Sequence, residues 1–434
     1  MNSNRVFYIL AGVIVIAIFL VVFLILNNLG GGDGGRPVTL QMWGVFDPNS
    51  AFERMISNFQ LQNQNIKIIY KQIPYEEYER TLIQALAAGT GPDIAMIHHT
   101  WLPKHGNKLK PFPADLKHDK KPVFSFKEFQ DQFVDVSVRD LTSQEQIYAM
   151  PLYVDTLALY YNKDLLNSAG ITRPPQTWEE VNDDVQILTR LDGSGNIIQS
   201  GIALGTARNI NRSTDILSAL MIQSGVRMND DGGGPTFAER VNSQNIGAIA
   251  LEYYTDFANP QKQTYSWNDS QHYSIDSFIE GATAMMIGYA HQAQVIRTKA
   301  ARLNFAIAPM PQASLSSPKQ YANYWALAVT NQSANSDAAW RFLVYAGSRE
   351  GASEYLNQTQ RPSARRDLIE LQRDDLNMGA FAVQAIAAMS WHQKDNVAIE
   401  SIFADMIDDV NYKRFTIRDA LERAQARAGV IGSQ

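Results

Sequence analysis

Cysteine is missing from all 434 residues. That excludes disulfides, thiolate metal sites, a cysteine nucleophile and the lipid-modified cysteine of a bacterial lipoprotein. No long basic run occurs and the formal net charge is −6, so nucleic acid is not an expected partner. The Gly-x-Ser-x-Gly, His-Glu-x-x-His and phosphate-loop patterns are all absent, which argues against the common hydrolase and nucleotide chemistries. Internal repeats are lacking too, and low complexity is confined to one glycine-rich stretch. Charged residues make up 19%, but the apolar share of 45% is that of a globular chain. A chain this long suits two lobes better than one small core.

Charge is also missing from residues 6–26, which follow Arg5. At about 1.5 Å per residue this run spans roughly 30 Å, the thickness of bilayer hydrocarbon. Asn27-Asn28-Leu29-Gly30 offers no Ala-x-Ala-like cleavage site. An uncleaved transmembrane helix is therefore expected, with its start in the cytoplasm by the positive-inside tendency. Residues 27–37 form a glycine-rich linker, which puts the folded part outside the cytoplasmic membrane.

Beyond the linker, residues 38–43 alternate as a strand and 50–59 carry Phe52, Met55, Ile56 and Phe59 on one helical face. A second strand over 66–73 meets Pro74, a helix over 75–88 stops at Gly89-Thr90-Gly91-Pro92, and a third strand over 93–97 ends on His98-His99. Strand, helix, strand, helix, strand with short links predicts a mostly parallel α/β sheet. Ligands of such sheets sit beyond the carboxyl ends of the strands, here at residues 43–47 and 98–101. Further on, Thr177 and Glu180 have the spacing of a capping box, and Asp192-Gly193-Ser194-Gly195-Asn196 reads as a plain turn, with no closing carboxylate for calcium.

Residues 147–165 organise the middle of the chain. They enter through Pro151 and run apolar from Leu157 to Tyr161 before Asn162-Lys163-Asp164 breaks the strand. Tyr153 and Asp155 are polar groups inside that run, and a carboxylate there must be paired or face a water-filled cleft. The pattern Tyr-x-x-Pro-Leu-x-x-Asp-x-x-x-Leu-x-Tyr-Asn-Lys-Asp-Leu-Leu resembles the extracellular solute-binding proteins of ABC importers, in the branch of the maltose-binding proteins. Gly89-Thr90-Gly91-Pro92-Asp93, Pro175-Gln176-Thr177-Trp178-Glu179-Glu180, Phe278-Ile279-Glu280-Gly281 with Ala284-Met285, and Arg361-Pro362-Ser363-Ala364-Arg365 are similar to further elements of that family, in its order. The resemblance covers about residues 38–428.

It implies an α/β, two-lobed periplasmic-binding-protein-like fold with hinge crossovers, preceded by the one N-terminal transmembrane helix. The expected division puts 38–154 and 309–333 in lobe 1 and 155–308 and 334–428 in lobe 2, with crossings near 153–157, 308–311 and 329–331. A saccharide would be held between the lobes, and the closed protein, a monomer, would be engaged by ABC permease subunits. The residues after Ala284-Met285 would give the site an aromatic, on Tyr289 or His291.

A sugar site needs flat aromatic faces for the C–H side of a pyranose and planar polar groups for its hydroxyls. Trp43, Phe46, Trp101, Tyr153, Tyr289, Tyr324 and Trp325 are the candidates for stacking, with Trp43 and Tyr324 foremost because each sits where a strand yields to a loop. Asp47, His99, Asp155, Asn211 and Arg361 are those for hydrogen bonding. His98 and His99 point to opposite faces of a strand and do not suit one metal ion, and no cofactor is expected. Three rival readings remain: binding of polyamine, peptide or an iron chelate on the same fold, an anchored glycosidase with Asp47 and Asp155 as its carboxylates, and a sensing ectodomain.

Overall fold

A computed structural model describes residues 37–118, 121–241 and 243–431. Residues 6–26 and nearly all of the linker lie outside them. Among the described residues no helix is long and apolar enough to cross a membrane.

Two sheets of five strands each carry a hydrophobic core of their own. The first runs in the order Ile66–Gln72, Val38–Gly44, Ile94–His98, Trp325–Val329, Ala149–Pro151. Its first three strands are parallel, as βαβ links require, and Trp325–Val329 lies antiparallel between its neighbours. Helix Asn49–Gln62 seats Phe52, Met55, Ile56 and Phe59 against it. The second sheet has the order Arg190–Leu191, Ile197–Ile202, Thr283–Gly288, Ala158–Asn162, Phe305–Pro309. Ala158–Asn162 is the buried strand of the 147–165 stretch, and the Tyr160 hydroxyl donates to the Tyr289 carbonyl at 2.7 Å. Tyr160 is thus part of the core. Asp192 accepts from the Ser194 and Asn196 amides, the local bonding of a plain turn.

Between the lobes lies a small third sheet, Ala388–Met389, Gln320–Asn323 and Asp155–Thr156. It carries the passages between the lobes, and these differ from the expected crossings in two places. Residues 153–157 do cross, Val154 packing in the first core and Leu157 in the second. Phe305–Pro309, however, stays in the second sheet, and the Gln312 amide still bonds the Gln176 carbonyl at 2.9 Å. The return comes later, where Tyr321 packs in the second core and Ala322 in the first. Val329, at the expected third crossing, is deep in the first core.

The C-terminal helices also divide otherwise than expected. Helix Ser336–Ala346 turns Ala339, Trp340, Phe342 and Leu343 into the first core directly after strand Trp325–Val329. Helix Arg349–Thr359 packs on helix Asn49–Gln62, with Tyr355 stacked on Phe52 at 5.3 Å. Apolar faces presented immediately after a strand bury on that strand's own sheet, so residues 334–369 stay with lobe 1. The chain reaches the second core only with Met378 and Phe381.

Candidate functional site

A cavity of about 480 Å³ opens where the hinge meets both lobes. The first lobe supplies an aromatic wall. Phe46 stacks on Tyr75 with ring centres 5.1 Å apart, and both meet the edge of Trp325. Phe46 holds a left-handed backbone (φ 64°) and is 50% exposed. Such a conformation is unfavourable for a bulky residue and concentrates at functional positions. Tyr153 lies under the Arg361 guanidinium, 4.2 Å from its ring centre.

The opposite wall is polar and is wired across the hinge. Asp215 accepts from both ends of the Arg212 guanidinium at 2.8 and 2.9 Å, from the Tyr289 hydroxyl at 2.7 Å and from the Asn323 amide at 3.2 Å. The Asn323 Oδ1 in turn faces His98 Nε2 at 3.2 Å, and His98 Nδ1 meets Thr100 at 2.7 Å. Burial, His99 and Arg212 push the His98 pKa far down, so the ring is neutral and its two nitrogens serve as one donor and one acceptor. His291 is exposed at the cavity, where partial desolvation by the surrounding protein together with Arg361 and Arg212 lowers its pKa to about 4. Near neutral pH the fixed charges of this wall are Arg212, Arg361 and their partners. On one flank the lobes touch: the Trp101 indole N–H donates to Asn396 and Lys104 bonds Asp395 at 2.7 Å.

Asp155 sits at the hinge end. Its carboxylate accepts from the Thr156 amide at 2.9 Å and from the Ala290 amide at 3.1 Å on each oxygen. Burial nevertheless outweighs these bonds and the pull of Arg361, raising its pKa to about 7. An unfolded Asp titrates near about 3.9. Between about pH 4 and 7 the folded chain therefore keeps a proton that the unfolded chain has released, and stability falls as pH rises through that window. Denaturant melts across the window are expected to show this slope in the parent and a shallower one in Asp155→Asn. Equal slopes would mean that Asp155 does not titrate as described.

Seven of the thirteen sequence candidates line the cavity: Phe46, Tyr153, Asp155, Tyr289, His291, Trp325 and Arg361. The other six do not. Trp43 is on the face of its strand away from Leu40 and Met42, with the Lys71 ammonium 5.0 Å above its ring. Asp47 is buried under the cleft, bound by Arg361 and the Tyr355 hydroxyl at 2.7 Å each. His99 and Tyr324 stack on each other at 4.8 Å on the far side, and both bond Asp140. Trp101 backs the wall without lining it, stacked on Tyr78. Asn211 is engaged by the Tyr273 hydroxyl and the Gln292 amide.

Three of these six misplacements are one residue long. Strand side chains alternate, so His98 faces the cleft where His99 was expected, and Asn323 and Trp325 flank the inward Tyr324. Arg212 takes the cleft position expected for Asn211 because the helix begins only at Ser213, with Arg212 left-handed before it. Tyr75, Val295 and Asn396 were not singled out. Tyr75 had a legible signal, an exposed aromatic just past a parallel strand and Pro74. Asn396 had none, since nothing local says that a C-terminal helix returns to the cleft.

With that geometry in hand, comparison with known proteins is decisive about family. The profile of the bacterial extracellular solute-binding proteins matches residues 43–353. The chain belongs to that family. Among curated relatives, the maltodextrin-binding protein MdxE of Bacillus subtilis is 26% identical over 365 residues, covering 81% of this chain and 79% of its own. The mannitol-binding protein of Pseudomonas aeruginosa is 27% identical over 224 residues, 49% of this chain and 48% of its own. The sugar-binding protein MalE of Xanthomonas citri superposes with a TM-score of 0.73 at 20% identity, covering 91% of this chain and 97% of its own. An ABC transporter solute-binding protein of Thermotoga lettingae bound with α-D-tagatose gives 0.69 at 21%, covering 91% and 99%. At such identities the structures establish the two-lobed fold of this solute-binding protein.

Proposed function

We propose that the interlobe cleft captures a carbohydrate outside the cytoplasmic membrane, without catalysis, and that the loaded protein delivers it to an ABC permease. The observation that carries this reading is the pairing of walls. An aromatic cluster, Phe46 and Tyr75 exposed with Trp325 buried behind them, faces planar hydrogen-bonding groups from Arg212, Asn323 and Asn396. Aromatic faces suit the C–H side of a sugar ring, and guanidinium and amide groups suit its hydroxyls. Relatives named for maltodextrin and mannitol agree with that chemistry. Residues 6–26 and the glycine linker would hold the binding lobes at the outer membrane face, close to the permease.

Thermal melting of the chain from residue 36 onward, against saccharides, polyamines and iron chelates, tests the ligand class. A ligand that binds the folded state alone adds about 2.7 kcal/mol at a hundredfold excess over its Kd. A midpoint rise with one saccharide class is expected. A rise confined to polyamines would reassign the cleft to a cation held by Asp155, and a flat panel would sink the carbohydrate reading.

A further inference from the structure

A larger cavity, about 690 Å³, lies between the lobes on the other side of the small third sheet. Strand Asp155–Thr156 at one edge of that sheet borders the aromatic chamber, and strand Ala388–Met389 at the other edge borders this second space. The two share no lining residue. His98 lines the chamber and His99 the second cavity, and their rings, 4.3 Å apart, stand between them. The carbohydrate reading gives this space no role.

Its charge is lopsided. Arg139 from the first lobe and Arg227 and Lys319 from the second line it, against the single carboxylate of Asp140. That carboxylate is already taken up by His99, Tyr324 and Ser390, with Arg139 3.6 Å away. Arg227 pairs outward with Asp231, which lies outside the lining. Lys319 has no carboxylate partner among the described residues; its half-buried ammonium gives one hydrogen bond, to the Ile222 carbonyl at 3.2 Å. An ammonium has three donors, so two are left. His392 adds no charge near neutral pH, because burial and then Lys394 lower its pKa.

The rest of the wall is partly apolar, through Leu102, Val226, Met228 and Met389. Trp391 is the one large aromatic in the lining, but it is 6% exposed and stacked on Phe403 at 5.7 Å, so a sugar ring has no open face to lie on. Its indole N–H is buried and has no acceptor among the described residues. Buried donors are nearly always satisfied, and this one adds a further donor to a region that is already short of acceptors.

We propose that this cavity is a binding site for a small organic anion, a carboxylate or phosphate monoester on an apolar body. Lys319, with Arg139 and Arg227, holds the head group, and Val226, Met228 and Met389 cover the body. Cations from both lobes meet at the head group, so the bound anion bridges the lobes away from the aromatic chamber. The site does not depend on what that chamber binds.

Calorimetric titration of the full chain in detergent with phenyl phosphate, benzoate, inorganic phosphate and benzamide tests this. At least one of the two organic anions is expected to bind. Inorganic phosphate, which lacks the apolar body, and benzamide, which lacks the charge, are each expected to bind at least tenfold more weakly. Lys319→Met keeps most of the stem and removes the charge; it is expected to weaken the organic anion by about tenfold or more, the worth of one hydrogen bond to a charged group. Ser143→Trp, which fills the cavity from an exposed position of the first lobe, is expected to abolish binding with Lys319 intact. No binding of either organic anion overturns the proposal, as does benzamide or inorganic phosphate binding equally well. Organic-anion binding that survives both substitutions places the anion elsewhere and overturns it too.

Discussion

Replacing Asp47 with alanine is expected to cost about 3–5 kcal/mol of stability, the usual penalty for stripping one partner from a buried ion pair. Asp47 is 4% exposed, and each of its two oxygens is bonded, one by Arg361 at 2.7 Å and the other by the Tyr355 hydroxyl at 2.7 Å. The loop that carries it is tied down again through its carbonyl, which accepts from the Tyr70 hydroxyl at 2.7 Å. Alanine would leave the Arg361 guanidinium, 15% exposed, without a counter-charge, and would strand the Tyr355 hydroxyl in the core. Removing both members of the pair is far less harmful, because no uncompensated charge remains. Asp47→Ala with Arg361→Leu should therefore recover much of the loss in a denaturant titration. A single variant within about 1 kcal/mol of the parent, a typical point-mutant effect, would show that the pair does not hold the loop. The same experiment separates two readings of Asp47: as a ligand acceptor its loss would weaken binding and leave stability alone.

How far the sequence could be read follows from the range over which each signal acts. Strands and helices of the first lobe were legible because period-2 and period-3.6 patterns are local, and Gly89 and Pro74 punctuate them. The two-lobed fold was legible through motifs in order. Hinge positions were not, because nothing between Pro309 and Gln320 marks which sheet a segment pairs with, and the Gln312–Gln176 contact that settles it spans more than a hundred residues. The C-terminal helices were misassigned for a related reason: an amphipathic helix declares that it has a buried face, not which sheet receives it.

Site residues show the finer limit. Choosing His99 over His98, or Tyr324 over Asn323, is an error of one residue, and on a strand one residue reverses the face. Trp43 illustrates how an aromatic at a strand end can as readily lie over a lysine on the outer face as line a cleft. Asp155 was singled out because a carboxylate inside an apolar run needs a stated partner. The partners turned out to be the Thr156 and Ala290 amides, the second of them from the second lobe.

Those partners define the second large effect, a loss of ligand affinity of about 10–100-fold in Asp155→Asn. A carboxylate has about four lone-pair sites, and the bonds from Thr156 and Ala290 do not fill them all. What is left faces the cleft, where Asp155 has no basic side chain at ion-pair distance among the described residues. A hydroxyl donated to a charged acceptor contributes about 1.5–3 kcal/mol, and each 1.4 kcal/mol or so is tenfold in affinity. Asparagine keeps the shape and turns one acceptor into a donor, against a ligand hydroxyl or the Ala290 amide. The sign of the pH dependence follows from the same bonds. In the empty cleft the carboxyl titrates at about 7, and a ligand that donates hydroxyls stabilises the ionised form, so binding takes up no proton above that value and must expel one below it. Affinity is expected to hold from about pH 8 to 7 and to fall by at most about tenfold per unit beneath. Calorimetric titrations of parent and variant at both ends of that range distinguish the possibilities. Loss of affinity together with loss of the pH slope places the ligand on Asp155. Reduced affinity with the parent's slope would mean that Asp155 acts only by tying the hinge to Ala290, and unchanged affinity would remove it from the site.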